Sequence, residues 1–392
     1  MHWRPPTKRP LRRFVGLSHA PPCVPMKAST RIVLTGFILG AGGVTLFVVL
    51  LLHHGLSAIG SALQTAGWWM GVIVAFHSLP LLADALAWRR LYPKRFRLPS
   101  TSYWWMRWVG ESLSNLLPVA QVGGDIVRAR LAASRPGRKV PMSTSLASVI
   151  ADITISIFTE IAFVLSGVAM LGHRWGMHSF TGPVLLGSAV MLAGVGTFWA
   201  LQRFGVFGTL ATLASKMAKA KDWSGLVEQG QSVDEALREM YERRGDVLLN
   251  AFWTCVSWAV GACEVWIAMY AIGIPATYPK AYVLESVGQA ITDAAFLIPG
   301  AVGVFEGGYV VVGAALGIPG DAALALALIR RVREITIGVA GIILWQWIEG
   351  RRLWKPGTWK KARTRRSRVG DVSAGAVKLH TPAPGEVGQA GG

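Results

Sequence analysis

The stretch from Leu117 to Arg130, Leu-Pro-Val-Ala-Gln-Val-Gly-Gly-Asp-Ile-Val-Arg-Ala-Arg, constrains this chain more than any other. It sets a helix-breaking proline, a glycine pair and three ionisable residues among long apolar runs. Pro118 removes a backbone donor, Gly123 and Gly124 permit a reversal, and Asp125, Arg128 and Arg130 are costly facing lipid. Broken backbone at membrane depth survives only where protein or a watery cavity surrounds it. The stretch therefore reads as the tip and returning arm of a re-entrant hairpin. The plainer alternative is a cytoplasmic loop followed by a short surface helix.

With 52% apolar residues, 17 tryptophans and 16% charged residues in 392, the chain fits a polytopic membrane protein. A net charge of +19 raises nucleic acid as a partner. The basic residues, however, sit in the tails and in short connections, as the positive-inside rule distributes them, so no nucleic-acid partner is expected. Cys23 lies in a polar tail, and Cys255 and Cys263 share one predicted helix about 12 Å apart along its axis, too far to bridge. No metal-ligand spacing occurs, so no disulfide, metal or cofactor is expected.

Residues 1–31 are basic and proline-rich and read as a disordered cytoplasmic leader. Residues 32–350 form the transmembrane domain, and the basic, then Gly-, Ala- and Pro-rich residues 351–392 a disordered cytoplasmic tail. The fold class is all-α: a membrane helix bundle with about six full spans and two re-entrant helical hairpins in inverted repeat. Spans are expected at Ile32 to Leu52, Trp68 to Trp88, Ser145 to Leu171, Val184 to Leu201, Val247 to Ile272 and Ala322 to Ile348. Residues 202–246 read as an amphipathic cytoplasmic insertion. In it Ser232 and Glu235 are expected to form a capping box, with ion pairs Asp234 to Arg238 and Glu239 to Arg243.

The halves echo one another. The first hairpin turns at Pro118, Gly123 and Gly124; the second turns at Pro299, Gly300, Gly303, Gly307 and Gly308. Paired interrupted segments in inverted halves point to a transporter's midplane site. Glu111 and Asn115 share a helix face with Pro118. Glu285, Gln289 and Asp293 recur every fourth residue, as do Arg330 and Glu334. One reading has these groups simply neutralising one another between packed helices. The functional reading is a polar cavity in which Asp125, Arg128, Arg130, Glu306, Arg330, Arg331 and Arg333 meet a lipid headgroup, arginine being suited to phosphate. Glu111, Asn115, Gln121, Gln289, Asp293 and Glu334 complete the candidate substrate-binding set.

The run Asn115-Leu-Leu-Pro-Val-Ala-Gln-Val-Gly-Gly-Asp125 and the later run Pro299-Gly-Ala-Val-Gly-Val-Phe-Glu-Gly-Gly308, followed by Ala-Leu-Ala-Leu-Ile-Arg-Arg-Val-Arg-Glu334, resemble the flippase-like family that includes the transmembrane region of lysylphosphatidylglycerol synthases. Within it the similarity is greatest to members associated with hopanoid biosynthesis. The resemblance implies a multi-pass protein of the bacterial inner membrane, both termini cytoplasmic, that moves an anionic or hopanoid-type lipid between leaflets, with lipid-biosynthesis enzymes as possible partners. The synthase activity is not carried over, because a basic tail stands where synthases have their aminoacyl-transferring domain; the chain is expected not to be an enzyme. No Gly-x-x-x-x-Gly-Lys-Ser/Thr loop is present, so no bound nucleotide is expected to drive it. The alternatives are an ion-coupled transporter of a small anionic solute, a membrane enzyme acting on a polyprenyl lipid, and a non-catalytic subunit of a lipid-synthesis complex.

Overall fold

A computed structural model describes residues 64–116, 122–135, 140–176, 181–217, 224–294, 301 and 303–353, and every regular element among them is helical. The expected leader, the first expected span and nearly all of the tail lie outside the described residues. So do Pro118, Gln121, Pro299 and Gly300. The helices are α1 (Trp69–Phe76), α2 (Ser78–Leu91), α3 (Ser100–Leu116), α4 (Val122–Ala133), α5 (Met142–Trp175), α6 (Thr181–Arg203), α7 (Val206–Met217), α8 (Ser224–Glu242), α9 (Arg244–Ala271), α10 (Tyr278–Ala294), α11 (Val304–Ala315) and α12 (Gly320–Leu353).

Four helical stretches are long and apolar enough to cross a membrane: Trp69–Leu91, Met142–Trp175, Gly182–Arg203 and Arg244–Ala271. They coincide with four of the expected spans. α6 shows why lipid is the right solvent, since Leu185, Leu186, Val190, Leu192 and Phe198 are all exposed on it. α12 has the length to span, but Arg330, Arg331, Arg333 and Glu334 interrupt its apolar run.

The two halves match helix for helix. α3 and α10 each have 17 residues, α4 and α11 each 12, and α5 and α12 each 34. Their packing matches too: α3 touches α4 and α12, while α10 touches α11 and α5; α2 rests on α3 as α9 rests on α10, and α2 lies against α9. Along that central contact His77 faces Glu264, the Ser257 hydroxyl donates to the Pro80 carbonyl, and Arg243 donates to the Leu91 carbonyl. The numbering falls on one helix as it rises on the other, so α2 and α9 are antiparallel. The operation that exchanges the halves therefore also turns the bundle over.

Small residues let the halves close. A Cβ on Gly341 of α12 would lie 2.0 Å from Ser112 Oγ of α3, and one on Gly167 of α5 would lie 1.8 Å from Ser286 Oγ of α10, so each cross-half contact is a serine set on a glycine. Two apolar cores flank this seam. One gathers Trp88, Tyr92, Tyr103, Met106 and Leu131. The other gathers Met269, Leu284, Tyr309, Val312 and Leu326.

The glycine pairs occupy a different place from the one expected. Gly123 and Gly124 lie inside α4, and Gly307 and Gly308 inside α11. Gly124 and Gly308 serve close approach rather than reversal: a Cβ on Gly124 would sit 2.0 Å from the Gly110 carbonyl oxygen, and one on Gly308 2.9 Å from Ile291. The turn into α11 uses Gly303 instead, at φ +81°.

The insertion is helical and packs inward. Val233, Leu237, Met240 and Tyr241 of α8 join the first core, on α5. Two local expectations fail there. α8 starts at Ser224, so Ser232 is interior and its hydroxyl donates back to the Glu228 carbonyl. Asp234 accepts the backbone N–H groups of Phe207 and Gly208 and so caps α7 from a distance in sequence. Glu239 pairs with Arg95 and Arg243 with Asp246.

Candidate functional site

Ionisable side chains within the apolar bundle form two large clusters, one on each helical hairpin, and a smaller third group. In the first, Asp152 of α5 accepts from Arg107 of α3 at 2.8 Å, Arg128 of α4 at 2.8 Å and Asn250 of α9 at 3.0 Å. Arg107 also reaches Asp84 at 3.3 Å, and Arg128 pairs with Asp125 at 2.8 Å and lies over the Trp88 ring. Arg128 and Asp152 are each only 2% exposed. Isolated ions at such burial are prohibitively costly, so the pairing is what lets them exist there.

In the second cluster Arg330 pairs with Glu285 and donates to the Tyr309 hydroxyl at 3.0 Å. Arg331 pairs with Glu306 at 2.9 Å and Glu334 at 3.3 Å; Arg333 pairs with Glu264 and with Glu334 at 3.3 Å. Glu306 also accepts the Gly303 N–H at 2.6 Å, which ties the entry to α11 onto α12. Its place in the first turn puts a negative charge at the positive end of that helix, as Asp125 does on α4.

One ion pair in each cluster occupies matching places with the sign reversed. Arg107 is the eighth residue of α3 and Asp152 the eleventh of α5; Glu285 is the eighth of α10 and Arg330 the eleventh of α12. Each half thus carries one buried pair at the same place with opposite polarity. Glu111 and Asn115 correspond in the same way to Gln289 and Asp293. Breaking one partner of such a pair costs about 3–5 kcal/mol, because the other is stranded. Combining Glu285→Arg with Arg330→Glu recreates the polarity of the first half and is expected to recover most of what either change loses alone. Thermal unfolding of the four proteins measures this coupling; strictly additive losses would contradict the correspondence.

Asp125 and Arg128 stand in the first cluster, and Glu306, Arg330, Arg331, Arg333 and Glu334 in the second. Glu111, Ser112, Asn115, Arg333, Glu334 and Gly338 line a narrow cleft between α3 and α12, with His77 on its wall. Gln289 and Asp293 form a third group with Glu160 of α5. Arg130 lies on an exposed side of α4. Arginines and carboxylates meet throughout: in the second cluster Glu111, Glu264, Glu285, Glu306 and Glu334 share three guanidiniums and one imidazole. An anion entering there must displace a carboxylate from an arginine, which makes binding an exchange of partners.

Sequence reasoning missed His77, Asp84 and Asn250 as members of these clusters, and it left Arg107, Asp152 and Glu264 out of the candidate set although each is an ionisable residue embedded in an apolar run. The signal was there for the first two: each interrupts an apolar run of spanning length, and an ionisable residue there marks a polar interior. Asn250 gave none, since its role depends on α9 lying against α5.

The family described as Lysylphosphatidylglycerol synthase TM region matches residues 33–341, most of the chain. The chain belongs to this family. It is a membrane protein with several apolar helices. Among curated proteins it is similar to the facilitated trehalose transporter Tret1 of Aedes aegypti, 31% identical over 127 residues, 32% of this chain and 15% of that protein. The chain thus spans under a sixth of that relative's length. No solved structure matches it.

Proposed function

We propose that this member of the lysylphosphatidylglycerol synthase TM region family carries a lipid headgroup between the leaflets of a bacterial inner membrane, both termini cytoplasmic, without acting as an enzyme. The two helical hairpins act as re-entrant arms, and the headgroup passes along the ionisable residues between them while its tails stay in lipid. The observation that carries this reading is the series of buried and half-buried ionisable groups inside an apolar bundle: Asp125, Arg128, Asp152 and Arg107 joined by ion pairs, then Glu111 one turn further along α3, His77, Arg333, Glu334, Arg331 and Glu306. The family's hopanoid-associated members favour a hopanoid or related polar lipid as cargo. The arginines receive a phosphate or other anionic group as their glutamates let go.

The test is reconstitution in liposomes with a lipid labelled on its headgroup. Faster loss of inner-leaflet protection than in protein-free vesicles is expected, slowed by Arg331→Gln. Equal rates with and without protein would refute the reading. Uptake of a small anion by the same vesicles, with no lipid movement, would favour a solute transporter instead; the small volume of the cleft is what speaks for that second reading.

A further inference from the structure

His77 sits where α1 meets α2, and it touches three other helices. Its Nε2 lies 3.2 Å from Glu111 Oε1 of α3. Its Nδ1 lies 2.8 Å from Glu264 Oε2 of α9 and 2.7 Å from Arg333 Nη1 of α12. The ring is buried, with 11% of its side chain exposed, yet it lines the cleft between α3 and α12.

The two nitrogens face different chemistry. A carboxylate only accepts and a guanidinium only donates, whereas an imidazole nitrogen does either according to its proton. Nε2 faces a carboxylate alone, so it keeps its N–H. Nδ1 faces both kinds of partner at hydrogen-bonding distance. With a proton it donates to Glu264; without one it accepts from Arg333. Both states are satisfied, and they differ in which helix holds α2: α9 when the proton is present, α12 when it is absent.

We propose that His77 is a proton-binding site at the seam between the two halves, loaded and emptied at Nδ1 from the adjoining cleft. A proton delivered by water forms the Nδ1–H bond and raises the charge of the cluster by one; its loss returns the proton to water and leaves the ring as the Nε2–H tautomer. The groups facing the ring are Glu111 from α3, Glu264 from α9, and Arg333 with Glu334 from α12; α1 and the first turn of α2 contribute no charge, and Asp84 in the second turn of α2 is held by Arg107. Loading removes the reason for Arg333 to face the ring and leaves it to Glu264 and Glu334. Emptying draws α12 toward α2. The site thereby couples proton occupancy to the contact between halves, whatever cargo the protein moves.

The experiment is nitrogen NMR of the full chain, labelled in its histidine rings and held in lipid nanodiscs. The His77 signals are identified by their absence in His77→Gln, or, if that variant does not fold, by their displacement in Glu111→Gln. From about pH 5 to about pH 10, bracketing the imidazole range, the ring is expected to pass from doubly protonated to the Nε2–H tautomer. Arg333→Lys, which keeps a donor, is expected to retain that tautomer, and Arg333→Met to lose the preference for it. A ring fixed in one protonation state over the range, or a neutral ring carrying its proton on Nδ1, would overturn the proposal. The readout is a ring nitrogen, so it stands apart from any failure to move lipid.

Discussion

Asp152→Ala is expected to be the most damaging single substitution among the described residues, costing about 3–5 kcal/mol or more and yielding little folded protein. One carboxylate there answers Arg107, Arg128 and Asn250, donors from three different helices. Removing it takes the shared acceptor from two guanidiniums inside an apolar bundle, one of them 2% exposed, and leaves Arg107 only Asp84 and Arg128 only Asp125 to balance them. Asp152→Asn keeps the shape and one acceptor and is expected to fall between alanine and the natural residue. Thermal unfolding of detergent-solubilised protein, read by intrinsic tryptophan fluorescence, measures the ladder. A midpoint for Asp152→Ala equal to the parent's would mean that the cluster contributes nothing to holding α3, α4, α5 and α9 together.

Gly124→Ala comes next. The added Cβ would stand 2.0 Å from the Gly110 carbonyl oxygen, 2.4 Å from Ser114 Oγ and 2.9 Å from the Gly110 carbonyl carbon. Two of these are backbone atoms of α3, which cannot rotate aside, so α4 has to move away. Overpacking of this kind costs about 1–3 kcal/mol, occasionally more. The displacement also pulls Arg128 from Asp152, so one methyl group disturbs the contact, the hairpin and the ion pair. Gly123→Ala, one residue earlier, meets nothing within 4 Å and serves as the control. Equal melting temperatures for the two variants would show that the hairpin is not closed by this contact.

The architecture was legible because its signals are local. Runs of apolar residues gave four of the spans directly. The placing of the breaks was less legible. Gly124 and Gly308 are used for contact with α3 and α10, a tertiary fact that a glycine in a sequence cannot distinguish from a turn. The insertion shows the same limit: Ser232 and Glu235 have the spacing of a helix start, but α8 begins at Ser224 and its earlier part lies against α7, where a Cβ on Gly230 would stand 2.8 Å from the Phe207 carbonyl oxygen. Among the charges, spacing picked out Glu285, Gln289 and Asp293, and Arg330 with Glu334. It did not divide them correctly. Glu285 meets Arg330 across two helices, whereas Asp293 turns to Glu160, because partners on different helices leave no mark in spacing along one.

The reversed polarity of the matching pairs has an electrical consequence. Turning one half over to generate the other reverses any dipole along the bilayer normal, and exchanging the signs reverses it again. The dipoles from Asp152 to Arg107 and from Glu285 to Arg330 therefore point the same way along the normal and add, where a repeat of like sign would have cancelled. Since a unit charge crossing 100 mV is worth about 2.3 kcal/mol, any motion that tilts both pairs together does work with or against the membrane voltage.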